Sequence, residues 1–126
     1  MINQILSIRG ATTVNDNTVE QITERSIELV KEIVKRNKLE SNSILEVIDI
    51  FISTTEDLTA AYSAKAVREC RLIDAPLFSM LEPPIVGALP MCIRFMIHVA
   101  NYGERVEPQH VYLHEAKKLR PDLVNN

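Results

Sequence analysis

The chain has 126 residues, 46% of them hydrophobic and 25% charged, with a formal net charge of -3. That balance suits one domain with its own core, since a domain of ~150 residues buries roughly 70% of its unfolded surface, and it argues against disorder. It also argues against nucleic acid as a partner, because no basic run or basic–aromatic interleaving occurs.

No stretch reaches the ~20 apolar residues of a membrane span, and the N-terminus lacks a signal peptide's basic start and apolar core, so a cytoplasmic location is expected. Cys70 and Cys92 form no CxxC motif, and two free thiols in a reducing compartment are expected. An anionic ligand would need local attraction, because the field of the whole molecule opposes it.

Residues 2–9 read as a strand stopped by Gly10. Asn15-Asp16-Asn17 offers capping side chains, and Asn17 with Glu20 resembles a capping box. Apolar or small residues at Val19, Ile22, Ser26, Leu29, Val30, Ile33 and Val34 recur at helical spacing to about Asn37, while Glu24, Arg25, Glu28, Lys31, Glu32 and Lys35 form a solvated face. A β-branched and aromatic segment at 44–54 contains a central strand over 47–52, and residues 60–71 favour a short helix with Lys65 and Arg68 on one face. Further strands are expected at 77–81, 91–100 and 109–113, with Glu82-Pro83-Pro84 closing the first of these.

The pattern describes one α+β domain spanning 1–126, with residues from about 121 onward as a flexible tail. A mixed five-stranded sheet with one long helix leaves one face bare. A neighbouring subunit is the economical cover, and closed homo-oligomers are the common way to provide it.

Arg94 is the most informative residue, because it interrupts the apolar run Met91-Cys92-Ile93-Arg94-Phe95-Met96-Ile97. An ionised guanidinium among apolar neighbours costs several kcal/mol or so unless an anion meets it, and the run itself contains no acid. Arg9 ends another strand-like stretch, Ile5-Leu6-Ser7-Ile8-Arg9. Two strand-borne guanidiniums suit a rigid carboxylate pocket, since arginine grips carboxylates in a planar fork. The alternative is that Arg94 pairs with a distant Glu or Asp, or lies at a wet sheet edge.

Five segments, in order along the chain, carry a resemblance: Ile8-Arg9-Gly10-Ala11-Thr12-Thr13-Val14, Ala64-Lys65-Ala66-Val67-Arg68-Glu69, Cys92-Ile93-Arg94, His110-Val111-Tyr112-Leu113 and Leu119-Arg120-Pro121-Asp122-Leu123. Together they resemble the small monofunctional chorismate mutases of the Bacillus type. The resemblance implies a homotrimeric pseudo-α/β-barrel that converts chorismate to prephenate in clefts between subunits, on the branch to phenylalanine and tyrosine. It implies no cofactor and no metal.

By the same resemblance, Arg94 lies beside the breaking ether oxygen, Arg9 binds a substrate carboxylate and oxygen, and Glu82 holds the ring hydroxyl. Tyr112 helps bind the side-chain carboxylate. Tyr62, Ala64, Lys65 and Arg68 form a wall from the adjacent subunit, Leu77, Phe78 and Ser79 line the same cleft, and Leu119 and Arg120 belong to a closing C-terminal segment. Ser79 stands where the family typically has cysteine, Phe78 replaces a smaller polar residue, and Pro83-Pro84 departs from the usual sequel to the glutamate.

Each of these residues also has a plainer structural reading. Glu82 is then a turn residue, Lys65 and Arg68 a solvated helix face, Tyr112 a packed strand ring with a wet hydroxyl, Ser79 a structural serine and Arg120 a cap on a frayed tail. His98 shares a face with Arg94 and Met96 and reads as a hydrogen-bonded structural histidine. His110 and His114 are spaced like a helical metal pair, but an extended Val111-Tyr112-Leu113 separates them, which argues against a metal site. Two other functions fit parts of the pattern: a non-catalytic module binding a carboxylate metabolite, and an enamine/imine deaminase-like enzyme on the same trimeric architecture.

Overall fold

The computed structural model describes residues 1–40 and 44–123. Asn125 and Asn126, expected to be part of a tail, lie outside the described residues. One sheet has the order β3-β2-β4-β1-β5, where β1 is Gln4–Thr13, β2 Leu45–Thr54, β3 Leu77–Leu81, β4 Cys92–Asn101 and β5 Val111–Tyr112. Helices α1 (Val19–Asn37) and α2 (Ser63–Cys70) complete the α+β architecture expected from the sequence.

Central β4 runs antiparallel to β1 and β2, whereas β2–β3 and β1–β5 are parallel pairs. Parallel neighbours need a crossover, and α2 supplies one between β2 and β3.

Alternation along β4 sorts the two faces. Ile93, Phe95, Ile97 and Val99 are buried, while Arg94, Met96 and His98 between them are only partly covered. The buried set joins Ile8, Ile50 and Ile52 from the flanking strands, Leu29, Val30 and Ile33 from α1, and Val67 from α2. The other face has no α-helix over it among the described residues; the 3-10 segment His114–Lys118 packs on Ala11 and Tyr112 at one side, and Ile5, Phe51, Phe78 and Met80 are exposed. The apolar surroundings expected for Arg94 therefore lie mostly across the sheet from it, and its side chain keeps 40% of its surface open.

Several boundaries differ from the sequence reading. β1 continues through Gly10 to Thr13. Gly10 marks the close approach of α1, since a Cβ there would stand 2.6 Å from Ile33 Cδ1. The N-cap of α1 is Thr18, whose hydroxyl accepts from Gln21 N at 3.2 Å, and not Asn17. Asn17 is drawn to the chain before α2, where its side-chain carbonyl accepts from Thr59 N and Ala60 N, both at 3.0 Å. That anchoring keeps residues 60–62 out of α2, which begins at Ser63, where the Ser63 and Ser26 hydroxyls meet at 2.6 Å.

β5 keeps only two residues of the expected strand, because Leu113 N donates to Ala11 O and the chain then turns into a 3-10 segment, His114–Lys118. Pro121–Leu123 forms a further 3-10 turn.

Loss of an N-cap hydroxyl costs about 1 kcal/mol. Thr18→Ala should lower the urea-unfolding free energy by that amount and Thr18→Ser should not, as equilibrium denaturation will measure.

Candidate functional site

The open face places Arg94 of β4 between Ala11 of β1 and Ser53 of β2, and Arg9 opposite Met96. These side chains share a cleft of about 370 Å³ with Tyr112 of β5 and with Leu119 and Arg120 from the segment after it. Tyr112 is buried against Ala11 and Ala116, with Leu119 and Leu89 packed alongside.

Three guanidiniums thus line one small cleft on a chain whose net charge is -3. Two carboxylates temper them. Arg120 donates to Asp122 through Nε at 3.0 Å and Nη2 at 2.7 Å, which holds the Asp122 carboxyl below its ordinary range. Glu82 Oε1 lies 2.6 Å from Arg94 Nε.

That separation is short enough for a charge-assisted hydrogen bond, yet Nε has no partner of hydrogen-bond geometry. We treat the contact as an ion pair, because the N–H is not aimed at the oxygen. Nε is buried although the side chain as a whole remains 40% open. Arg94 thus meets a glutamate from just beyond β3 and also faces the cleft.

Glu82 is less free than a turn residue before two prolines suggests, since its N–H donates to Thr54 O at 2.8 Å. The entry to β4 is held separately. Asp57 Oδ2 accepts from Met91 N at 3.0 Å, and Thr55 Oγ1 accepts from Cys92 N at 3.0 Å while donating to Asp57 Oδ1 at 2.5 Å. Sequence reasoning missed both residues. Their only local signal was a polar turn after β2, which does not say what the turn grips.

The remaining expected residues do not meet the arginine cleft within this chain. Tyr62 and Ser79 line a second cleft of about 510 Å³, bounded by β2, β3 and the residues entering α2. Lys65 and Arg68 are exposed on α2, while Ala64 and Leu77 are partly buried against the core. Phe78 lies on the open face, edge-to-face with Phe51 at 6.1 Å between ring centroids.

The three histidines have separate partners. His98 Nδ1 meets Asp49 Oδ1 at 2.6 Å, as a structural histidine would. His114 Nε2 meets Glu28 Oε1 at 2.7 Å, and His110 Nδ1 lies 2.9 Å from Arg9 N. The latter two, on either side of the extended Val111–Tyr112 segment, thus meet different partners.

Both cysteines are free thiols. Burial pushes the Cys92 thiol up to about 11, with Arg94 pulling it down and Glu82 pushing it back up. A neutral, buried thiol reacts slowly. Iodoacetamide at pH 8 should leave Cys92 unmodified in the folded protein and alkylate it under denaturant, as peptide mass spectrometry will read out.

The family model for chorismate mutase type I matches residues 5–123. A chorismate mutase AroH from Thermus thermophilus is 37% identical over 119 residues, covering 94% of this chain and 96% of that protein. The AroH chorismate mutase of Bacillus subtilis is 38% identical over 120 residues, covering 94% and 92%. The solved structure of a chorismate mutase from Clostridium thermocellum superposes with a TM-score of 0.80 at 39% identity, covering 90% of this chain and 98% of that one.

Proposed function

This chain belongs to the type I chorismate mutase family, and we propose that it is a cytoplasmic homotrimer that rearranges chorismate to prephenate in clefts between its subunits. The observation that carries this reading is the convergence of Arg9, Arg94 and Arg120 with Tyr112 on an open, rigid sheet face. The substrate carries two carboxylates, and fixed guanidiniums are the side chains best suited to hold them.

The reaction is a [3,3] shift, in which one carbon–oxygen bond breaks as one carbon–carbon bond forms within a single molecule. No atom enters or leaves, so the protein need not supply a nucleophile or a proton. It can hold the flexible substrate in its compact reactive conformer, and it can place positive charge where the ether oxygen gains electrons. In this reading Arg94 meets that oxygen, Arg9 and Tyr112 hold carboxylate oxygens, and Glu82 accepts from the ring hydroxyl. Arg120 and Leu119 close the cleft behind the substrate.

The Glu82 contact suits such a role. It pairs with Arg94 on the side of the inner nitrogen, which leaves the outer nitrogens to meet the ether oxygen.

What one chain leaves undone supports the trimer. Tyr62, Ala64, Lys65, Arg68, Leu77, Phe78 and Ser79 lie on α2 or β3 or just before α2, and β3 forms the sheet edge opposite β5. A neighbouring copy could set that group against the arginine cleft and cover exposed Phe51, Phe78 and Met80 together. Sedimentation equilibrium should give three times the 14.3 kDa chain mass. A monomeric mass would remove the intersubunit cleft.

Purified protein incubated with chorismate should yield prephenate. Loss of a preorganised donor to a developing oxyanion costs ~10²–10³ in rate. Arg94→Ala should therefore remain folded by circular dichroism and lose at least that factor in kcat. Near-normal turnover by this variant would overturn the assignment of Arg94.

A further inference from the structure

We infer that His110 is a positioning residue, whose neutral imidazole pins the β5 wall of the cleft to β1 and so sets where Arg9, Tyr112 and Arg120 stand relative to one another. The inference rests on the reading of that cleft as the chorismate site.

β5 is a two-residue strand, paired with β1 only at Gly10↔Val111 and Ala11↔Tyr112. Just before that pairing begins, Arg9 N donates to the His110 ring at Nδ1, at 2.9 Å, in place of a backbone carbonyl. An imidazole side chain thus occupies a rung of the ladder. Beyond the pairing, Leu113 N donates to Ala11 O at 2.9 Å. Asn37, at the end of α1, holds Gln109 through both side-chain atoms, accepting from its N–H at 2.8 Å and donating to its carbonyl at 2.9 Å.

The geometry of the histidine contact selects one protonation state. A backbone N–H can only donate, so Nδ1 must be a bare lone pair and the ring's one proton sits on Nε2. A second proton would set two N–H groups against each other. It would also add a cation to the neighbourhood of Arg9 on β1 and Arg120 beyond the first 3-10 turn.

Burial first, then Arg9 and Arg120, lower the His110 pKa from 6.5, in keeping with a ring held neutral. The sign follows from linkage. Above pH 6.5 neither the folded nor the unfolded chain protonates this ring. Below it the unfolded chain takes up the proton first, so the pin weakens as pH falls through the lower, folded value.

The test combines three measurements. Nitrogen-15 NMR of the imidazole at pH 7 should show the Nε2–H tautomer of His110, and an Nδ1–H tautomer would overturn the inference. His110→Ala should raise KM for chorismate about tenfold, the worth of one hydrogen bond of ~1.4 kcal/mol, with a smaller effect on kcat. His110→Asn, whose Oδ1 stands close to where Nδ1 was, should recover most of that loss.

The wild type should lose kcat/KM as pH falls through the lowered, folded value, below 6.5, and His110→Asn should lack that acid limb because it cannot titrate. An unchanged KM in the alanine variant, or the same limb in the asparagine variant, would overturn the inference. If alanine prevents folding, the wild-type tautomer and the asparagine pH profile still decide. If the wild type shows no turnover at all, the chorismate reading fails. The pin is then judged by the tautomer and by whether the Leu113 amide exchanges faster in wild type than in His110→Asn as pH falls.

Discussion

The register between β1 and β4 is the constraint on which the site depends. Ten consecutive pairs, from Gln4↔Asn101 to Thr13↔Cys92, hold the two strands together. In that register Ile8, Phe95 and Ile97 face the helices, while Arg9 and Arg94 face outward. A slip of one residue would turn the guanidiniums into the core and the isoleucines into water. The arginine face therefore stays in place for the same reason the core stays dry. No separate device is needed to aim the arginines.

Support for Arg94 comes from several directions. Glu82 approaches from the end of β3, itself tied to β2 through Thr54 O. Asp57 and Thr55 grip the first residues of β4, where Met91 takes a φ of 54°. Cys92 stays a neutral thiol beside the ion pair and adds no further charge to it. A cation on a strand braced by a neighbouring acid and clamped backbone has little freedom to reorganise. Electrostatic stabilisation of a developing oxyanion requires that rigidity.

The cleft is asymmetric in how firmly its walls are built. The β1–β4 side rests on a long ladder and a buried core. The β5 side rests on two paired residues, the bonds from Leu113 N to Ala11 O and from Glu115 N to Thr13 Oγ1, a tether from Asn37 and an imidazole contact. Arg120 and Leu119 extend from this lighter wall. Substrate entry and product release need some part of the site to yield, and elements with few backbone pairs open at the lowest cost.

Much of this was legible in the residues themselves. Helical spacing placed α1, and apolar, β-branched and aromatic runs placed the strands, because burial favours both patterns. An arginine inside an apolar run announced itself for a related reason: a cation there needs an explanation wherever the strand lies. Boundaries were less legible. Gly10 looked like a stop and is a point of close helix approach, and Asn17 looked like a cap and instead holds the chain before α2.

Those outcomes depend on atoms brought from elsewhere in the chain, as do the Glu82–Arg94, Asp57–Met91 and His110–Arg9 contacts. Local pattern carries the free energy of hiding apolar surface, which is spread over many side chains and reads from order alone. Which polar atom meets which is decided only when the sheet closes, since each such contact is a single directional bond between parts of the chain that the sequence keeps apart.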